Sequence, residues 1–234
     1  MSRSELARRR VTQGGVWRLG TGLVLFAVAA GASGPDRGAI HHLVWRQHRV
    51  RIEVSPGPSP RIEATILTPG RAPIEVTPLA LRWRVGSVSV GDVDDDGRLE
   101  LLVMVWKRTR YHRPLAWRPF LYTLADGRWV PKWLGSRVGR ELIEARLACP
   151  EAGPSKLVTL EQGHDAARYL TVYHWRGFGF WGERTVSLPR EAARLKVMPL
   201  GGGCERIVIL SADGSPMAKY PDVDSMTASG GQER

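Results

Sequence analysis

The stretch Asp92-Val93-Asp94-Asp95-Asp96-Gly97-Arg98-Leu99-Glu100, set between Ser87-Val88-Ser89-Val90 and Leu101-Leu102-Val103-Met104-Val105-Trp106, decides how the rest of the chain is read. Its flanks are rich in β-branched and large apolar residues and carry no helical period, so the acidic segment is a loop joining two strands. Carboxylates at alternate positions can converge on one cation if the backbone turns sharply, and Gly97 permits that turn. Calcium takes six to eight oxygens, which short acidic side chains supply well. An EF-hand opens in the same way, but it needs two flanking helices and a bidentate Glu at position 12, where this chain has Val103.

A tight D-x-D-x-D-G-x-x-E loop between strands resembles the FG-GAP (VCBS-type) repeat, the blade unit of integrin α-chain propellers and of many secreted bacterial proteins. The resemblance covers Val85 to Trp106. It implies one structural Ca2+ site, with Asp92, Asp94, Asp96 and Glu100 giving side-chain oxygens and Arg98 its backbone carbonyl. The chain departs from the family pattern at Asp95, where Gly or Asn is common, and at Glu100, a methylene longer than the usual Asp.

Outward from this loop the chain reads as all-β. Runs of strand character are His42 to Val54, Arg61 to Leu67, Ile74 to Trp83, Ser87 to Val90, Leu99 to Trp106, Phe120 to Leu124 and Trp129 to Trp133. They continue as Ile143 to Leu147, Leu157 to Glu161, Tyr169 to Trp175, Phe180 to Val186, Leu195 to Met198 and Arg206 to Leu210. Ser55 to Pro60, Asp126-Gly127 and Arg176-Gly177 are the clear breaks, and only Gly139 to Glu144 and Pro189 to Ala193 hint at a helical turn.

The strand-loop-strand unit recurs at Ile143 to Leu160 and Leu195 to Leu210, a period of about 50 residues that suits propeller blades. The expected fold is a β-propeller-like array of antiparallel blades over residues 38–212, about three to four units, closed or incomplete. A small, polar, unpatterned tail, residues 213–234, is expected to be disordered. In the later copies the acids are gone, and Cys149 and Lys156 stand at or near the former ligand positions. One loop alone is therefore expected to bind an ion. Cys149 and Cys204 fall in equivalent loops of successive copies, and an even cysteine count in an exported chain suggests a disulfide between them.

Residues 1–32 carry the three parts of an export signal: basic residues up to Arg18, an apolar run from Leu19 to Ala30, and a small-residue end at Ala30-Gly31-Ala32. The run falls short of the ~20 residues of a comfortable bilayer span. Cleavage after Ala32 is the first reading and retention as an N-terminal membrane anchor the second. The protein is expected to be secreted, or anchored and facing outside. Losing that segment, with five arginines and Glu5, takes the formal charge from +11 to +7. A basic exported protein is drawn to anionic surfaces, an anionic cell-surface polymer or another protein being the expected partner and nucleic acid not.

The segment Lys107 to Pro119 is the longest insertion between strands and interleaves Arg108, Arg110, Tyr111, Arg113 and Trp117, a pattern suited to acidic polymers or stacked rings. Most of the nine tryptophans sit at strand ends and read as packing residues, with Trp117 and Trp181 left open. No His spacing fits zinc and no nucleophile elbow or phosphate loop is present, so no catalytic constellation is visible. The function expected is an exported binding or scaffold module. The alternative is a polysaccharide-active hydrolase or its accessory subunit, for which Glu161, Asp165 and Glu183 are the acids to examine.

Overall fold

A computed structural model describes residues 38–135, 137–148, 153–199 and 205–217. Among them there is no helix, and they are all-β. Strands β1 (Ala39–Trp45), β2 (His48–Val54), β3 (Arg61–Leu67) and β4 (Ile74–Ala80) form one antiparallel meander. A second contains β5 (Val85–Gly91), β6 (Glu100–Lys107), β7 (Ala116–Ala125) and β8 (Arg128–Leu134). A third contains β9 (Glu141–Ala148), β10 (Lys156–Gln162), β11 (Arg168–Trp175) and β12 (Phe180–Leu188). A hairpin of β13 (Ala192–Pro199) and β14 (Glu205–Ser211) follows. The first two meanders join where β4 runs parallel to β8, through Thr77 and Arg128. The resulting eight-stranded sheet is nearly closed and barrel-like, because its end strands β1 and β5 lie alongside each other.

Apolar runs become strands buried on both faces. In β6, Leu101, Val103 and Val105 pack with Val50, Ile52, Ile62 and Val76 of the first meander. The alternate residues Leu102 and Met104 point the other way, onto Leu142, Leu147 and Leu157 of the third. The third meander turns Val158, Leu160, Leu170 and Val172 toward Leu195, Ile207 and Ile209 of the hairpin. Strand side chains alternate, so such a run is apolar throughout only if both faces are covered. Each fully buried Val or Leu contributes about 1.5–3 kcal/mol.

The first strands of successive meanders are linked by side chains rather than ladders: Leu147 N donates to Ser89 Oγ (2.8 Å), Arg146 Nη1 to Val88 O (2.9 Å) and Leu195 N to Glu144 Oε2 (2.7 Å). At the end of the described chain, Ser211 N donates to Ser215 O (3.0 Å) and Met217 N to Ile209 O (3.1 Å), with Leu210 bridged to Pro216. A short return of the chain thus lies along β14.

Several expectations need correction. The run His42 to Val54 is a hairpin, because Arg46 adopts φ 52° and turns the chain between Trp45 and His48. Gly139 to Glu144 and Pro189 to Ala193 hold no helical turn: β9 starts at Glu141, and Ala192 N donates to Pro189 O (3.1 Å) in a turn that opens β13. The insertion after β6 ends earlier than Pro119, since Ala116 to Pro119 belong to β7 and pair with Met104 to Lys107. Residues 1–32, Cys149, Cys204 and the tail from residue 218 lie outside the described residues.

Candidate functional site

The acidic loop joins β5 to β6, as its flanks require. It is pinned at its start: Asp92 N donates to Ser155 Oγ (3.0 Å) and Ser155 N to Asp92 O (2.6 Å), across to the third meander. Gly91 permits this approach, since a Cβ there would stand 2.6 Å from Ser155 Oγ. Asp95 (φ 57°) and Gly97 (φ 82°) then take left-handed backbone, which Asp and Gly tolerate best. The turn lets Gly97 N donate to Asp92 Oδ2 (3.0 Å) and brings Glu100 back under the loop.

Asp92, Asp94 and Glu100 each offer a carboxylate oxygen within 4.8 Å of the others. Glu100 is fully buried; its Oε2 accepts from Val93 N (2.9 Å) and its Oε1 from Thr123 Oγ1 (3.1 Å). Burial pushes this carboxyl above its ordinary range, partly countered by the Val93 N–H and the Lys132 ammonium. Asp92 is buried as well, and its Oδ1 has no hydrogen-bond partner among the described residues. Asp96 is not drawn in: its Oδ1 accepts from Arg98 N (2.8 Å), and the exposed Arg98 guanidinium lies 3.9 Å from its Oδ2.

Two cations complete the loop, and neither is visible in its sequence. Arg46, from the β1–β2 turn, donates to Asp92 Oδ2 (2.9 Å) and reaches Asp95 Oδ1 (3.7 Å). Lys132, from β8, bridges Asp94 Oδ2 (2.7 Å) and Glu100 Oε1 (3.0 Å). Burial would lower its pKa, but the hydrogen bonds to the two carboxylates outweigh burial and hold it above its usual value. A lone lysine in the aromatic strand Trp129 to Trp133 is the signal that could have found it. The donor set is the hard-oxygen kind that calcium takes. Asp92 Oδ1 is the oxygen left free for it, whereas Asp94 and Glu100 are engaged by Lys132.

The third meander repeats this arrangement with the charges exchanged. Lys132 is the extra residue of a bulge opposite Leu121 and Tyr122, and Glu183 is the extra residue of a bulge opposite Val172 and Tyr173. Glu100 opens β6 and Lys156 opens β10, and Lys156 Nζ meets Glu183 at 2.7 Å. The internal repeat is therefore structural at the level of single bulges.

At the far end of β6 and β7, Arg108, Arg110, Tyr111 and Arg113 are exposed. Trp117 is half-buried: it packs edge-on against Trp106 (5.0 Å) and covers Gly86, where a Cβ would stand 2.7 Å from its ring. Arg118 is buried and fastens the loop from beneath, donating to Lys107 O (3.3 Å), Pro114 O (2.8 Å) and His112 Nδ1 (2.6 Å). A guanidinium only donates, so this His112 nitrogen accepts and carries no proton. Burial, then Arg118 and Arg137, hold the His112 pKa down, against Glu141.

Glu161, Asp165 and Glu183 do not come together as a pair across a cleft. Glu161 is fully buried and accepts from Tyr173 Oη (2.6 Å) and Thr159 Oγ1 (2.8 Å). Asp165 Oδ1 accepts from Ala167 N (3.1 Å) within its own turn, and Glu183 is held by Lys156.

No protein-family model matches the chain, and no curated protein matches it. Among solved structures, one described as a Xanthomonas type IV secretion system related protein aligns over 79% of this chain and 94% of its own, with 12% identity and a TM-score of 0.28. A likeness at that score carries no argument about fold or function.

Proposed function

We propose that this protein is an extracytoplasmic interaction module, a propeller-like stack of β-meanders in which one loop takes a structural calcium ion. The observation that carries the metal reading is the buried Asp92 Oδ1, unpartnered among the described residues, beside Asp94 and Glu100. Leaving a buried carboxylate oxygen unsatisfied costs about 1–3 kcal/mol or more, which a bound cation would relieve. Asp92, Asp94 and Glu100 would hold the ion, which supplies positive charge to carboxylates that repel one another. Three meanders of four strands followed by a hairpin, with first strands side by side, support the propeller-like part. The basic export-type segment supports the compartment.

Thermal melting in chelator, in calcium and in magnesium tests the metal reading. Calcium should raise the melting temperature, magnesium far less, and Asp94→Ala should abolish the difference. Identical curves for the unmodified protein in chelator and in millimolar calcium would leave Arg46 and Lys132 as the loop's own counter-ions and remove the metal from the proposal.

A further inference from the structure

We propose that the end of the molecule opposite the acidic loop docks on a bilayer surface rich in acidic phospholipids. In each meander the first-to-second connection emerges at one end, and the second-to-third connection and the exit to the next meander emerge at the other. Contacts fix these ends: Arg46 and Ser155 both touch Asp92 at the acidic end. At the other end, Leu81 N donates to Pro60 O (2.9 Å), Trp106 N to Arg84 O (2.9 Å) and Arg190 Nη2 to Asp165 O (3.4 Å), while Arg137 and Glu141 act on His112.

That second end gathers Arg82, Arg84, Arg108, Arg110, Arg113 and Arg137 from three separate connections. All six are exposed, and none is in an ion pair among the described residues. The acids of this end are Glu141, Asp165, Glu191 and the buried Glu161, which pairs with Arg140 (3.5 Å), whereas Asp92, Asp94, Asp95, Asp96 and Asp126 lie at the opposite one.

Charge alone would suit any polyanion, but two further features favour a bilayer. Tyr111 is 84% exposed and Leu115 46%, set among the arginines on a loop that Arg118 holds in shape. Aromatic and aliphatic tips between cations match the boundary of headgroups and acyl chains. The chain also enters β1 at this end: a Cβ on Gly38 would stand 2.9 Å from Val54 O and 3.6 Å from Pro56 Cδ. The apolar run that ends at Ala30 precedes Gly38 by a link that extends to no more than about 29 Å. An uncleaved apolar run would thus be tethered to the strand end that lies beside the arginines.

The proposal names a partner for the module proposed above and rests on that reading, yet it concerns the end away from the metal loop. Hydrogen exchange of the full chain on vesicles tests it, with phosphatidylcholine alone compared with an equimolar mixture containing phosphatidylglycerol, each in chelator and in calcium. On the mixed vesicles, exchange across residues 81–84 and 108–115 should slow by about an order of magnitude in either condition, reverting at high salt. Residues 92–99 should not slow. The triple variant R108E/R110E/R113E should lose the protection while melting as the unmodified chain does. Equal exchange on both vesicles, or protection confined to residues 92–99, overturns the proposal, and so does soluble dextran sulfate protecting 108–115 as fully as the mixed vesicles. A calcium-independent result leaves docking intact even if the metal loop fails its own test.

Discussion

An ammonium held between two carboxylates, as Lys132 is between Asp94 and Glu100, stands where a divalent ion would need to bind. Its removal should separate two effects. Lys132→Met leaves Glu100 buried without its cation, so melting in chelator should fall, by an amount on the order of 1–3 kcal/mol for an orphaned buried charge. The same change should enlarge the gain in melting temperature on adding calcium, because the ion no longer competes. A smaller calcium response than in the unmodified protein would contradict that competition. His41 gives a second test at this scale. Burial, then Arg146 and His42, push its imidazole down to about 4. The folded protein keeps the ring neutral while the unfolded chain protonates it near pH 6.5. Its contribution is thus fully present above pH 6.5 and is lost as the pH falls toward 4, roughly 3 kcal/mol as an upper bound. The urea midpoint of His41→Gln should flatten across that window; the slope of the unmodified protein surviving the substitution would assign it elsewhere. A lone lysine in an aromatic strand hints that Lys132 has a buried partner, but the sequence names no partner for it or for Arg46, since they lie 32 residues from Glu100 and 46 from Asp92, and only the fold brings them in.

Strands were legible wherever β-branched and aromatic residues cluster, because the pleated, packed surface that rewards them leaves the same imprint in composition. Turns were legible where chemistry demands a particular residue. Asp126 (φ 50°) and Gly127 (φ 71°) make a two-residue hairpin turn of the kind that Asp-Gly favours. Arg46-Gln47 carries no such mark, which is why β1 and β2 read as one run. The apolar run of β6 announced a buried strand but not what covers it. Leu101 faces the first meander and Leu102 the third, so Leu101→Ala and Leu102→Ala should each cost about 2–5 kcal/mol in urea unfolding. A sheet wet on one side would show a large loss at only one of the pair, and that outcome would refute the two-faced packing. The exchange of Glu100–Lys132 for Lys156–Glu183 had no sequence signature, because pairing through bulges appears only once the strand registers are known.

Across the whole molecule, connections remote in sequence gather six exposed arginines at one end and five aspartates, with Arg46 and Lys132 among them, at the other, so the net charge of +11 says nothing of where the charges lie. The disulfide expectation belongs to this scale too. Cys149 follows β9 and Cys204 precedes β14, and β9 lies beside β13, whose partner is β14. Mass spectrometry of the non-reduced protein should find one bridge, closing a loop whose restriction of the unfolded chain is about 4 kcal/mol in the entropy model. Two alkylatable thiols would exclude it. The return of residues 215–217 along β14 has its own consequence, one of self-association. An uncovered strand edge is a template on which another chain can grow, and here that place is taken by a segment whose central residue, Pro216, has no N–H to offer onward. Beside Ile209 to Ser211 the outer side of β14 is thereby closed to recruitment.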